Sequence, residues 1–291
     1  MPARIVVGLK PESAGSLPPP QTGPAVSAAV LASLRDGGYT ELATAMHDAH
    51  PPKAYAVTPL LDEAHRAPGR ASEQVRFEVG VLRDELMAPV LAALTARSRW
   101  EFGRTGYVTD TVFMGAAEPY PELLAAARPA TTWAFHLLTP VAFITGGLQG
   151  ARRQQPLPDP ERLFGALLSR WRAHTGDLSP LPDGTPEAIE GHLEITDFEL
   201  RATEHLIKAG VGPLRGAVGT VRYTLVQASA VPAPARCGLD ALARFALYAG
   251  VGNRTNVGMG YVLPDLSRVR PGTSGRPGAQ PQTQRRERQE R

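Results

Sequence analysis

The residues best suited to chemistry lie close together in one short segment, His47-Asp48-Ala49-His50-Pro51-Pro52-Lys53. An imidazole can take up or release a proton near neutral pH, because its unperturbed pKa is about 6.5. An ammonium six residues later can offset negative charge that builds up on a reacting group. The His-x-x-His spacing is a weak metal signal here, since no Cys and no acidic cluster at ligand spacing accompanies it. Asp48 alone does not complete such a site. No Gly-x-Ser-x-Gly elbow and no His-Glu-x-x-His pair occurs anywhere in the chain. His65, His136, His174, His192 and His205 are scattered and read as structural or solvent-facing.

A second stretch could hold an anion: Gly250-Val-Gly252-Asn253-Arg254-Thr255-Asn256-Val-Gly258-Met-Gly260. Leu239, Leu242, Phe245, Ala246 and Ala249 precede it at helical spacing, with Asp240 as a candidate cap and Gly250 as the stop. Tyr261-Val262-Leu263 follows as a short strand. The order helix, glycines, strand is the reverse of a phosphate loop, and neither a Walker lysine nor a dinucleotide fingerprint is present. Glycines alone mark a tight turn that packs a helix onto a sheet, or a backbone that a ligand can approach closely. The Asn-Arg-Thr-Asn insert adds donors suited to a phosphodiester chain.

The elements that position these residues form a repeated pattern. Arg4 to Lys10 is a strand, Gly23 to Arg35 a helix and Glu41 to Met46 a further helical turn. Ala54 to Leu61 and Val75 to Leu82 are strands, Asp84 to Ala96 a helix containing Pro89, and Gly106 to Met114 a strand. This is βαββαβ, the ferredoxin-like order. No paired aromatics decorate these strands, so base stacking on the sheet face is not supported. A proline-punctuated linker, 118–131, follows. Trp133 to Ile144 is a strand with Pro140 as a bulge or edge, and Asp159-Pro160 caps a helix built on Leu163, Phe164, Leu167, Leu168 and Trp171. His192 to Leu206 and Val218 to Gln227 are strands, and the C-terminal helix, loop and strand complete a second βαββαβ.

The Gly-rich stretch resembles the C-terminal signature of the CRISPR-associated endoribonucleases of the RAMP superfamily (repeat-associated mysterious proteins), which process precursor CRISPR RNA. Gly250, Gly252, Thr255, Gly258 and Gly260 carry the match, after a helix and before a closing strand. Pro158-x-Pro160-x-x-x-Phe164-x-x-Leu167-x-x-x-Trp171 is similar to the family's second domain. The resemblance spans roughly residues 1 to 263. It implies an α+β fold of two tandem ferredoxin-like domains, 1–117 and 132–265, joined by that linker. It further implies metal-independent cleavage of CRISPR repeat RNA by the ribose 2′-hydroxyl, leaving a 2′,3′-cyclic phosphate and a 5′-hydroxyl. The alternative within the superfamily is a non-catalytic subunit that holds guide RNA in an effector complex.

By that resemblance His47 is the expected general base or acid, with His50 as competitor, and Lys53 stabilises the phosphorane. The family's tyrosine would fall near the end of the first helix, where Ala32 and Ser33 stand; Tyr39 or His50 is left to fill that role. Gly250, Gly252, Asn253, Arg254, Thr255, Gly258 and Gly260 are expected on the RNA, joined by Arg152, Arg153, Lys208 and Arg215 on flanking loops. No cofactor and no metal is expected. The partners are the precursor and mature repeat RNA, and potentially other CRISPR effector subunits.

Composition sets bounds on this reading. At 291 residues and 43% apolar content the chain can bury two cores. The net charge of +3 does not by itself announce a nucleic-acid binder, but arginine greatly outnumbers lysine and suits phosphate geometry. Cys237 is the single cysteine, so no internal disulfide forms. No run approaches the roughly 20 apolar residues of a membrane span, and a soluble cytoplasmic protein is expected. Beyond residue 265, Arg, Gln, Pro and Gly dominate, and a disordered basic tail is expected.

Overall fold

A computed structural model describes residues 1–13, 15, 18–68, 72–146, 152–206 and 212–266. The tail expected to be disordered lies, from residue 267 on, outside the described residues, as does Lys208. The first half runs β1 (Ala3–Pro11), α1 (Gly23–Asp36), α2 (Thr40–Asp48), β2 (Tyr55–Val57), β3 (Val75–Val81), α3 (Asp84–Ala96), β4 (Arg99–Phe102) and β5 (Thr105–Ala117). Strand alternation sends Ile5, Val7, Leu9, Phe77, Val79 and Val81 into one core with Val26, Val30, Leu86 and Val90 of α1 and α3. Arg4, Arg76 and Glu78, at the intervening positions, face the other way.

After α4 (Tyr120–Ala125) the second half runs β6 (Thr132–Val141), β7 (Phe143–Gly146), β8 (Arg152–Gln155), α5 (Pro160–Thr175), α6 (Thr185–His192), β9 (Leu193–His205), β10 (Leu214–Leu225), α7 (Ala233–Ala249) and β11 (Val262–Asp265). The two larger sheets are ordered β2-β3-β1-β5-β4 and β11-β6-β10-β9. Read from the last strand inward, both follow the sequence fourth, first, third, second, and the first sheet carries β4 as an addition. Two ferredoxin-like domains in tandem are what this shared order describes.

Several local expectations change. The linker is not a free tether: Tyr120 and Leu123 of α4 are buried, and the Tyr120 hydroxyl donates to the Leu82 carbonyl at 2.9 Å. The strand expected over Ala54 to Leu61 stops at Val57, and only Leu61 bridges back to Arg76. Pro59 supplies no N–H to continue the ladder. The strand expected from Trp133 to Ile144 is broken at Ala142 into β6 and β7. Asp240 does not cap α7, which begins seven residues earlier at Ala233. It is wholly buried instead, accepting from Trp133 Nε1 at 3.1 Å, Arg128 N at 3.0 Å and Arg244 Nε at 2.9 Å. Asp159 does cap α5, accepting from Arg162 N at 2.9 Å.

The halves meet through close backbone approach. A Cβ on Gly80 of β3 would stand 2.0 Å from the Tyr248 carbonyl oxygen of α7. One on Gly258 would stand 2.6 Å from Cα of Gly23 at the start of α1. Gly258 also has φ +89°, a conformation that penalises any side chain. Gly258→Ala should therefore lose about 2–4 kcal/mol of unfolding free energy. Urea denaturation checks this, and an unchanged midpoint would show that the two halves are not seated as described.

Candidate active site

The Gly-rich segment leaves α7 and returns to β11 as a folded loop over the junction of the two halves. Its glycines are consumed by protein packing. Gly250 N donates to Ala246 O at 3.0 Å, Gly260 N to Pro140 O at 3.0 Å and Asn253 N to Ala142 O at 2.8 Å. A Cβ on Gly252 would lie 2.5 Å from the Ala142 carbonyl oxygen, so that position admits glycine alone. The expectation that bare backbone here faces a ligand is corrected for Gly250 and Gly260, whose N–H groups already have protein acceptors. Thr255 is likewise buried, its methyl packed toward Gly250 and Gly260. The side of the loop left toward solvent is Arg254, exposed at φ +61°, flanked by half-buried Asn253 and Asn256.

Arg254 faces the His47–Lys53 segment. The Lys53 ammonium donates to the carbonyl of Met46 at 3.1 Å and to that of His47, capping the C-terminal end of α2. An ammonium has three donors, so one remains for a ligand. Partial burial lowers the Lys53 pKa below the ordinary lysine value; Asp48 opposes the shift and Arg254 adds to it. His47 and His50 are both exposed, at the end of α2 and just after it. Tyr39 sits before the first residue of α2, eight residues from His47 and roughly 12 Å away along the helix. The structure closes the Lys53 ammonium on the last turn of α2, which bears His47, with Arg254 near enough to act on its charge, and leaves Tyr39 at the far end of that helix.

The flanking arginines occupy the β7–β8 hairpin and the start of β10. The hairpin departs from Ala142, whose carbonyl holds the Gly-rich loop. Arg153 is exposed on β8 next to Arg152. Gln154 Oε1 accepts from Arg215 N at 2.6 Å, and the exposed Arg215 guanidinium lies 3.3 Å from Glu204. Among the described residues, no three His, Cys, Asp or Glu side chains converge as a metal-binding group.

Of the histidines that the sequence offered as scattered, His65 and His174 bridge the halves, and His205 holds the Gly-rich loop from within the second half. His174 Nε2 lies 3.2 Å from the Lys53 carbonyl oxygen, and His205 Nε2 3.2 Å from that of Val257. His65 Nδ1 lies 2.9 Å from the Tyr261 hydroxyl, which also accepts from Arg4; Arg4 pairs in turn with Glu78. The Arg4 guanidinium stands over the Tyr261 ring, 4.9 Å from its centre. Nothing in the spacing of these histidines signals this, because each partner lies far away in sequence. Arg170 was missed as well: buried on α5, it donates from Nη2 to the Gly252 carbonyl at 2.9 Å.

Comparison with known proteins bears on the fold that carries these residues. The family model of the CRISPR-associated endoribonuclease Cas6 matches residues 135–262. No curated protein matches the chain in sequence. Among solved structures, the product complex of the Cas6 TTHB231 is 29% identical, with a TM-score of 0.74 over 91% of this chain and 100% of that one. Thermus thermophilus Cas6 (TTHB231) is 28% identical, with a TM-score of 0.67 over 91% and 98%. A Cas6-related protein from Pyrococcus furiosus, 15% identical, shares the fold with a TM-score of 0.66 over 92% and 100%. The similarity to solved Cas6 structures thus extends over about nine-tenths of the chain, well beyond the Gly-rich stretch.

These three histidines set a pH dependence. Burial is the main cause that lowers all three, with nearby arginines adding to it at His65 and His174, and His174 falls to about 4. The fold therefore favours their neutral forms. Their contribution is complete above the unfolded value near 6.5 and is lost as pH falls below it, for His174 toward about 4. The thermal midpoint should decline over that interval, and less steeply in His174→Gln. An identical decline in that variant would remove His174 from the cause.

Proposed function

We propose that this RAMP-type protein binds CRISPR repeat RNA and cuts it within the precursor transcript to release guide RNAs. The observation that supports the reading is the closure of the Lys53 ammonium on the turn of α2 that bears His47, with Arg254 of the Gly-rich loop acting on its charge. The Cas6 complexes it resembles supply the substrate class, since one of them is described as a product complex. Cleavage proceeds without a metal. His47 takes the proton of the ribose 2′-hydroxyl, whose oxygen attacks the adjacent phosphorus. The 5′-oxygen leaves with a proton, delivered by His47 or His50. Lys53, through its remaining N–H, and Arg254 stabilise the charge on the phosphorane. Atoms balance with a 2′,3′-cyclic phosphate on one fragment and a 5′-hydroxyl on the other.

RNA is held by Arg254, Asn253 and Asn256 and by the arginines of the β7–β8 hairpin and β10. Arg254→Ala should weaken binding and reduce the slope of log affinity against log salt by about 1. Titration of fluorescent repeat RNA at several salt concentrations measures this; an unchanged slope would take Arg254 off the phosphate.

The rival reading is a RAMP subunit that holds guide RNA without cutting. In its favour, the Lys53 ammonium already has two carbonyl partners. Incubation of the protein with labelled repeat RNA in EDTA separates the two: cleavage with cyclic-phosphate ends is expected, whereas a gel shift with intact RNA supports the rival. His47→Ala should slow cleavage by about 10²-fold or more while binding persists. Full activity in that variant would transfer the role to His50, and loss of activity on chelation alone would indicate a metal-dependent nuclease.

A further inference from the structure

Helix α5 carries two polar side chains, one turn apart, that reach both functional segments. Arg170 is buried and holds the Gly252 carbonyl, fixing the base of the Gly-rich loop. One turn later, His174 meets the Lys53 carbonyl, fixing the base of the segment that ends in the candidate catalytic lysine. A carbonyl oxygen only accepts, so Nε2 of His174 carries the proton in this contact. Nδ1 is buried and has no hydrogen-bond partner among the described residues. Arg83, Arg170 and Glu85 are the charged groups that act on this ring, and burial outweighs all of them in keeping it neutral. An imidazole that stays neutral down to about pH 4 is unsuited to shuttling protons at neutral pH, but it suits a fixed donor.

We propose that His174 is a positioning residue for RNA cleavage, holding the Lys53 main chain so that its ammonium lies across the carbonyls of Met46 and His47 with one N–H left for the scissile phosphate. Arg170 holds the Gly-rich loop from the same helix face, so a single rigid element sets the spacing between Lys53 and Arg254. Helix α5 would thus contribute to catalysis without a side chain of its own on the reacting atoms. This inference rests on the reading that Lys53 acts on the phosphate.

The test uses the full chain and a repeat RNA transcribed from the CRISPR array of the source genome. Single-turnover cleavage is measured, and affinity is measured separately with the same RNA carrying a 2′-deoxyribose at the mapped cut. His174→Leu should cleave about tenfold or more slowly, because small misplacements of a catalytic group are costly. Its affinity should stay within about threefold, and His174→Gln, which can present an N–H at the same reach, should recover most of the rate. In a Lys53→Ala background, His174→Leu should add little, since the two act through one group. A wild-type rate in His174→Leu, no rescue by Gln, or fully additive losses would each overturn the proposal. A Lys53→Ala enzyme that cuts normally would instead overturn the reading of Lys53 itself. A slow Lys53→Ala beside a fast His174→Leu would sink only the positioning role.

Discussion

The backbone of Gly258 lies against that of Gly23, and the arrangement of the molecule depends on that contact. A loop of the second domain can reach the start of α1 in the first only where neither residue carries a side chain. Once the loop is seated there, its other exits are fixed by hydrogen bonds to Pro140 and Ala142 on one side and by the Arg170 guanidinium on the other. The polar tip, Asn253 to Asn256, is then displayed beside the end of α2. The glycines therefore shape the loop by permitting close packing, and they leave the charged residue between them exposed to solvent.

The interface around that contact is unusually polar for a junction inside one chain. Buried Arg4, Glu78 and Tyr261 and half-buried Arg76 and His65 form a connected group between the open face of the first sheet and the residue before β11. Buried ion pairs of this kind add little net stability, because desolvation offsets most of their attraction. Removing one partner is costly, however, so such a group favours one relative placement of the halves over near alternatives. A site assembled from two domains needs that selectivity more than it needs extra stability.

The fold was legible where a pattern was long and periodic. The alternation of β1 and β3, the apolar stripe of α5 with its Asp159 cap, and the duplicated βαββαβ order could all be read from residue types. Short elements such as β4 could not, because four residues carry too little periodicity. Asp240 misled as a helix cap, since a buried carboxylate with three donors looks the same in sequence as one at a helix end. At the candidate site, His47 and Lys53 were singled out by residue chemistry together with a family resemblance and Arg254 by its place in the loop, and the structure adds the closure of Lys53 on the end of α2. Thr255 and the glycines were assigned to the ligand when packing had already claimed them. His174 and Arg170 were invisible because their roles exist only through carbonyls 121 and 82 positions away.

The account as a whole comes down to where the scissile phosphate rests. A structure of the protein with repeat RNA that carries a 2′-deoxyribose at the cut would locate it directly. The account predicts the phosphate oxygens within hydrogen-bond reach, about 2.6–3.2 Å, of the Lys53 ammonium, with the His47 imidazole facing the 2′ position. A phosphate held elsewhere, with Lys53 still closed on the carbonyls of α2 and His47 turned to solvent, would contradict it.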